Sequence, residues 1–238
     1  RTTNERCTMI PIIKKVFIHI PKNAGMTVRS SAILRDRIVQ ANELLHKSKE
    51  YTAAVLETMN KNNDHHGFPH SRWRDLKPEV MQWNESFAIV RNPWDRVVSR
   101  YFFAKKVIEV ELKEPVGKHN IDSFEHFLEE RHIWGGKEYM WHRAIRGWYP
   151  AFDYVTNEAG IVKCDIMRFE NLNEDLCKYF NLAQMSEARN VTGLNSGTYQ
   201  DLYTPETIQI VADWYKTDID QWGFDFDTGA TKNYWNTK

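Results

Sequence analysis

The chain has 238 residues, of which 42% are apolar and 27% are charged, and this composition excludes a disordered protein. Its 32 basic and 32 acidic residues balance, whereas proteins that bind nucleic acids or long polyanions usually carry a basic excess. We expect neither a membrane span nor a signal peptide, because no apolar run has the required length or flanks. The three cysteines lack metal-ligand or redox spacing, which predicts reduced thiols and a cytoplasmic protein.

The length fits one domain with a substantial core. Residues 1–13 show no periodicity, and we expect them to be disordered or not part of the native domain. The expected domain covers residues 14–228, and residues 229–238 form a C-terminal tail.

The first predicted element is a buried strand in Lys14–Ile20, because KKVFIHI is rich in β-branched residues and Pro21 ends it. The turn PKNAG follows this strand. Helices are then predicted over Met26–Gln40, Asn42–Asn60 and, with Ser71 as N-cap, Ser71–Trp83.

A second buried strand is predicted over Ser86–Val90. Asn92 as N-cap, Pro93 at the first helical position and Asp95 at the third position together predict that a helix starts there and runs to about Val107. Strands that alternate with helices predict an α/β fold with a mainly parallel sheet covered on both faces. The remaining predicted elements are a strand within Ile161–Phe169 and helices over Asp122–Glu130, Glu170–Phe180 and from Thr204 onward.

The motif FIHIPKNAGMT places a small-residue turn between a buried strand and a helix. Backbone N–H groups in such a turn and at the helix N-terminus bind phosphate oxygens, and Ala24 and Gly25 allow a ligand to approach closely. Lys22 adds a cation. The motif is not a Walker A loop, which needs a lysine directly before the hydroxyl residue, where this chain has Met26. The alternative is an ordinary turn with a solvated lysine.

The motif FAIVRNPWDRVVSRYFF begins with a buried strand that ends at Arg91. Ligands of open α/β sheets bind at the carboxyl ends of the strands, so Arg91 is expected to face such a ligand. Ser99 lies about two helical turns further on. These two side chains can hold a second phosphate, with a forked contact from the guanidinium. The alternative is that Arg91 pairs with Asp95 and that Ser99 is an ordinary helix residue.

Together the two motifs resemble those of sulfotransferases that use 3′-phosphoadenosine 5′-phosphosulfate (PAPS). PKNAGMT looks like the 5′-phosphosulfate loop of that family, and VRNPWDRVVSRYF looks like its 3′-phosphate motif. The second motif has the form found in the carbohydrate branch, which includes the heparan 2-O- and chondroitin sulfotransferases. MRFENLNEDLCKYFNL and LNSGTYQDLYTPETIQIVADWYKTDIDQWGFDF are also similar to that branch. The resemblance covers Lys15–Phe226, nearly the whole chain.

The resemblance implies a P-loop-like three-layer fold, PAPS as donor, adenosine 3′,5′-bisphosphate as product and no metal. It also offers a Golgi-lumenal location as an alternative to the cytoplasm. Met26 departs from the family pattern, because many members have Thr or Ser there and their hydroxyl contact is lost. The loop Asn195–Thr198 is expected to close over the nucleotide. The implied donor-binding residues are Lys22, Asn23, Ala24, Gly25, Met26, Thr27, Val28, Arg91, Ser99, Asn195 and Ser196.

Three histidines in HHGFPHSRWRDL suggest zinc, but a glycine and a proline break any helix that would align them. We therefore predict no metal site. His70 opens a stretch that resembles the family segment upstream of the 3′-phosphate strand, and the histidine at its head is the candidate general base. A histidine of near-neutral pKa suits this role, and His65 and His66 are lesser candidates. Lys22 is expected to stabilise the charge that develops on the leaving oxygen.

The stretch HIWGGKEYMWHRAIRGWYP, within residues 132–150, is equally consistent with acceptor-binding walls and with core. The candidate acceptors are hydroxyl groups of a glycan, a small metabolite or a protein side chain. Two other functions remain as alternatives. A P-loop kinase or NTPase would need a Walker lysine and a metal-binding acid, and a catalytically silent nucleotide-binding protein would keep the phosphate motifs without a working base.

Overall fold

A four-stranded parallel sheet forms the centre of the computed structural model, with the strand order β2-β1-β3-β4. The structure describes residues 14–64, 67–119, 121–135, 146–185 and 198–235. The strands are β1 (Lys15–Ile18), β2 (Ile38–Gln40), β3 (Ser86–Val90) and β4 (Asp165–Arg168).

Helices surround this sheet. The helix Pro93–Lys106, called α4 below, continues beyond its last residue as a π-helical turn, Val107–Leu112. The helices among the described residues are α1 (Gly25–Ser30), α2 (Lys49–Lys61), α3 (Pro78–Met81), α4 (Pro93–Lys106), α5 (Phe124–Trp134), α6 (Ala151–Val155), α7 (Leu172–Phe180), α8 (Pro205–Trp214) and α9 (Lys216–Trp222).

The two central strands are buried on both faces. Successive side chains of a strand point to opposite faces, so Phe17 and Phe87 pack on one side, whereas Ile18 and Val90 pack on the other. Helices α1 and α7 cover the first face, and residues of α2, α4 and α5 cover the second. The predicted three-layer α/β fold with a mainly parallel sheet is therefore confirmed.

The predicted helix over Met26–Gln40 is wrong in its second half. Helix α1 ends at Ser30, and the last three residues of the predicted helix form β2. There Ile38 pairs with Lys15 of β1, so tertiary pairing of β-branched residues outweighs the local helical pattern. The next two predicted helices are also shorter than expected, since α2 starts after the N-cap Ser48 and α3 covers only Pro78–Met81.

The order of the strands creates a crevice between β1 and β3. The chain leaves β1 toward β2 on one side and leaves β3 toward β4 on the other side. Ligands of open α/β sheets bind at the carboxyl ends of the strands where the direction of the connections reverses. In this chain the loop Pro21–Ala24, after β1, and Arg91, after β3, both follow these two strand ends.

The residues after α9 return to the sheet. The Asn92 side-chain amide donates hydrogen bonds to the carbonyl oxygens of Asp225 (2.8 Å) and Thr228 (2.9 Å). The backbone N–H of Trp235 donates to the carbonyl oxygen of Ile166 in β4 (2.8 Å). The C-terminal segment therefore braces the start of α4 and covers the edge strand β4. Residues 1–13, for which disorder was expected, lie outside the described residues.

Candidate active site

The loop after β1 has an unusual backbone. Lys22 has φ 67° and Ala24 has φ 59°, although neither is glycine. Left-handed dihedrals cost about 1–2 kcal/mol at such residues and are retained where the surrounding structure enforces them, often at functional sites. Backbones that include left-handed residues in this way form concave groups of N–H donors that bind anions.

Three side-chain hydrogen bonds hold this loop in place. Arg96 Nε donates to the carbonyl oxygen of Pro21 (3.1 Å), and Arg91 Nη1 donates to that of Lys22 (2.8 Å). The buried side chain of Asn23 reaches the opposite way and donates to the carbonyl oxygen of Ile89 in β3 (2.8 Å). Each residue from Pro21 to Asn23 is thus fixed to the adjacent strand or its following helix.

Lys22 lies among other cations. Its pKa is lowered to about 8, first by burial and then by the positive charges of Arg91, Arg100 and Lys106. Its ammonium group lies 4.3 Å from the ring centroid of Phe103. Within the described parts of the chain no carboxylate forms an ion pair with Lys22, so the field at its ammonium group favours an anionic ligand.

Arg91 forms a forked ion pair with Asp95, in which both N···O distances are 2.7 Å. Its guanidinium carbon also lies 3.9 Å from the ring centroid of Phe169. The pair with Asp95 was the structural alternative raised by the sequence, and it is present. Arginine has five N–H donors, and three of those of Arg91 donate to Asp95 and Lys22. Two N–H groups therefore remain for a ligand among the described residues. Ser99 is buried on α4, and its role as a phosphate ligand stays a prediction.

His70 has a defined tautomer. Its Nδ1 lies 2.9 Å from the carbonyl oxygen of His19. A carbonyl oxygen only accepts hydrogen bonds, so Nδ1 carries the proton and Nε2 presents a lone pair. The pKa of His70 is well below its usual value, because the ring is buried and because His19, Arg146 and Arg29 disfavour a positive charge. The imidazole is thus neutral and able to accept a proton.

Buried polar contacts fix the segment that follows His70. Asp75 is fully buried and accepts two bonds from the Arg72 guanidinium, at 2.9 and 3.2 Å. Arg72 also binds Asp153 of α6 (3.2 Å), and Arg74 binds the same carboxylate (2.9 Å). These ion pairs and hydrogen bonds hold the segment from Arg72 to Asp75 rigidly against α6.

The strand β4 contributes residues whose importance the local sequence did not reveal. The Glu170 carboxylate accepts a hydrogen bond from the backbone N–H of Asn92 (2.7 Å). Phe169 supplies the ring beneath Arg91, and Arg168 pairs with Asp175 in α7 (2.9 Å). The only sequence signal for these roles was the family-like stretch MRFENL, since the partners in the Glu170–Asn92 bond are 78 positions apart.

The other candidate residues fall into three groups. Gly25, Met26, Thr27 and Val28 lie in the first turn of α1, where Met26 is 54% exposed and Val28 is buried in the core. Trp148 is 2% exposed and belongs to the core, which was one of the two interpretations left open for its stretch. The candidate residues that lie outside the described parts of the chain are His65, His66, Asn195, Ser196 and those in 136–145.

Two searches of the described residues gave negative results. No helix there is long and apolar enough to cross a membrane. No group of three or more His, Cys, Asp and Glu residues in the same parts of the chain is arranged to hold a metal ion. Because His65 and His66 lie outside those parts, the expected absence of a zinc site stays a prediction.

Comparison with known proteins identifies one family. A family model described as "Sulfotransferase family" matches residues 7–225, which is most of the chain. No curated protein and no solved structure matches.

Gly25 provides a test of how tightly the site is packed. A Cβ atom at Gly25 would overlap the buried imidazole of His19, so Gly25→Ala should lower the free energy of unfolding by about 1–3 kcal/mol. Urea denaturation measures this change. Gly117→Ala is the matched control, because a Cβ there meets no atom within 4 Å. Equal losses in the two variants would contradict the packing described here.

Proposed function

We propose that this chain, which belongs to the sulfotransferase family, transfers a sulfuryl group from PAPS to a hydroxyl group of a carbohydrate or small metabolite. The fold of this family is P-loop-like. One observation carries this proposal. At the crevice between β1 and β3, Lys22 forms no ion pair with any carboxylate of the described residues. It lies beside Arg91, which bonds the Lys22 carbonyl at 2.8 Å and has two N–H donors that those residues leave unused.

The described residues fit a donor that carries two anionic groups. The loop Lys22–Thr27 would hold the 5′-phosphosulfate, since the surrounding cations favour an anion there. The two remaining N–H groups of Arg91, together with the Ser99 hydroxyl, would hold the 3′-phosphate. Phosphate binding by a guanidinium fork is charge-assisted and geometrically selective. These residues would therefore bind PAPS more tightly than donors that lack the 3′-phosphate.

When bound, PAPS supplies the sulfuryl group and a nucleotide phosphate as leaving group. Nε2 of His70 accepts the proton of the acceptor hydroxyl as the oxygen attacks, since this nitrogen carries the lone pair. The ammonium group of Lys22 donates a hydrogen bond to the departing oxygen as negative charge grows on it. In this mechanism His70 acts as the base and Lys22 as the stabilising cation in the same transition state.

The carbohydrate part of the proposal rests on the resemblance of VRNPWDRVVSRYF and MRFENL to the carbohydrate branch. An acceptor screen with isotopically labelled PAPS, read by mass spectrometry, tests both halves of the proposal. Transfer of label to a sugar or metabolite hydroxyl is the expected result. Transfer to none of a broad set of hydroxyl acceptors, while a known sulfotransferase assayed in parallel succeeds, would contradict it.

Lys22→Ala should reduce turnover more than donor binding, because the partner charge of Lys22 develops mainly in the transition state. A second readout follows from the lowered pKa of about 8. An anionic ligand raises that pKa, so binding of adenosine 3′,5′-bisphosphate at pH 8 should take up a fraction of a proton. Titration calorimetry in two buffers of different ionisation enthalpy measures the uptake.

The proton uptake should vanish in Lys22→Met, which keeps the length of the side chain without its charge. Lys105→Ala, which removes another lysine, on α4, serves as the control and should retain the proton uptake. Loss of donor affinity in Lys22→Ala with unchanged turnover would contradict the proposed role of Lys22.

Arg91→Ala should weaken binding of PAPS by about 10- to 100-fold, the value of a charge-assisted bond pair. Binding of adenosine 5′-phosphosulfate, which lacks the 3′-phosphate, should change much less. The ratio of the two affinities is the readout, because Arg91 also braces the Lys22 loop. Arg35→Ala, which removes an exposed arginine, is the control and should leave both affinities unchanged. Equal losses for both donors would show that Arg91 is purely structural.

His70→Ala should lose about 10²–10⁴-fold in turnover and bind adenosine 3′,5′-bisphosphate normally. The wild-type rate should rise with pH as His70 loses its proton, and this limb should lie below the usual histidine pKa of 6.5, since burial lowers the pKa. The pH–rate profile measures the limb, which should be absent from His70→Ala and present in the exposed-site control His132→Ala. Near-normal turnover in His70→Ala would place the base elsewhere, with His66 or Glu57 to be tested next.

A further inference from the structure

His19 is a buried titratable residue that the proposed mechanism does not use. It follows directly after β1 and is only 5% exposed. Its Nδ1 has no hydrogen-bond partner in the described parts of the chain. A buried histidine without such a partner is costly, so its position requires a physical reason.

One side of His19 contacts His70. The two ring centroids lie 4.2 Å apart, with an angle of 42° between the ring planes. The backbone carbonyl of His19 also accepts the bond from His70 Nδ1 (2.9 Å). Behind it, Phe17 stacks on the His19 ring, with centroids 5.4 Å apart and planes 17° apart. The His19 ring therefore packs against His70 and is itself held by Phe17.

The Nε2 edge of His19 contacts the first residue of α1. The imidazole occupies the space that a Cβ atom at residue 25 would need, so the ring packs directly on the Gly25 backbone. Only glycine allows this approach. One aromatic ring thus contacts both the residue that ends the donor loop and the imidazole of His70.

We propose that His19 is a positioning residue whose ring sets the distance and orientation between His70 and the donor loop. This inference rests on the proposed function only for its effect on turnover. A shift of about 1 Å in a reacting group can cost roughly 100-fold in rate, so a fixed spacer between base and donor is chemically significant. His19 itself transfers no proton.

The electrostatic surroundings suit a spacer that stays neutral. Burial lowers the pKa of His19, and the positive charges of Arg29, Arg146 and Lys22 lower it further, to about 3. The His70 ring, which contacts it, has a pKa that is also lowered by burial. Both rings are therefore neutral at neutral pH.

The test compares His19→Ala with His19→Phe in the full chain. Nitrogen-15 NMR reports the tautomer and pKa of His70, and kinetics report kcat beside the Kd of adenosine 3′,5′-bisphosphate. Without the His19 ring, His70 can turn away from the residue-19 carbonyl, so His19→Ala should give mixed His70 tautomers with a pKa nearer 6.5. The value of kcat should fall about 10- to 100-fold with little change in Kd. His19→Phe keeps a flat ring and should restore the tautomer and most of kcat.

His46→Gln is the control, because His46 is also buried and bonds Ser71, the neighbour of His70, without stacking on the His70 ring. It should lower the melting temperature and leave the His70 tautomer unchanged. If His19→Ala does not fold, His19→Asn removes the ring in the same comparison.

An unchanged His70 tautomer and kcat in His19→Ala would overturn the proposal. It would also be overturned if kcat fell only in proportion to the folded fraction, with the tautomer intact. The NMR measurement needs neither donor nor acceptor. Failure of the wild type to transfer sulfate would therefore contradict the proposed function and leave the NMR test of His19 valid.

Discussion

The forked ion pair between Arg91 and Asp95 is the contact on which the rest of the site depends. It turns the guanidinium so that a third N–H reaches the carbonyl of Lys22, while the flat face lies on Phe169. One side chain thereby joins the loop after β1, the start of α4 and the end of β4. The left-handed backbone at Lys22 is held by this junction and by the bond from Asn23 to β3.

The chain is neutral overall, but its charges are not evenly distributed. Cations gather at the carboxyl ends of β1 and β3, where burial and mutual repulsion lower the pKa of Lys22 and of both neighbouring histidines. Burial, together with the same field that favours an anion, keeps His70 unprotonated. In the proposed mechanism the cations that favour the donor would thus also help to keep His70 ready to accept a proton.

The sequence predicted the elements whose signals are local. The strands β1, β3 and β4 and the caps at Asn92 and Thr204 lie where expected. Strand β2 was missed because its three residues gain their conformation from pairing with β1. The same distinction between local signals and long-range contacts applies to the site. The order of motifs placed Lys22 and Arg91 at one sheet edge, whereas the contacts that hold them join residues 66 to 78 positions apart in the chain, and no local pattern encodes those distances.

Calorimetric titration with adenosine 3′,5′-bisphosphate, beside adenosine 5′-monophosphate and ATP with Mg²⁺, tests the central claim that this sheet edge is a PAPS site. The account predicts saturable binding of the bisphosphate to one site. Binding of the monophosphate should be at least about 10-fold weaker, because it lacks the charge-assisted contact to Arg91. ATP with Mg²⁺ should bind no better than the monophosphate. Binding of ATP with Mg²⁺ that equals or exceeds that of the bisphosphate would contradict the account.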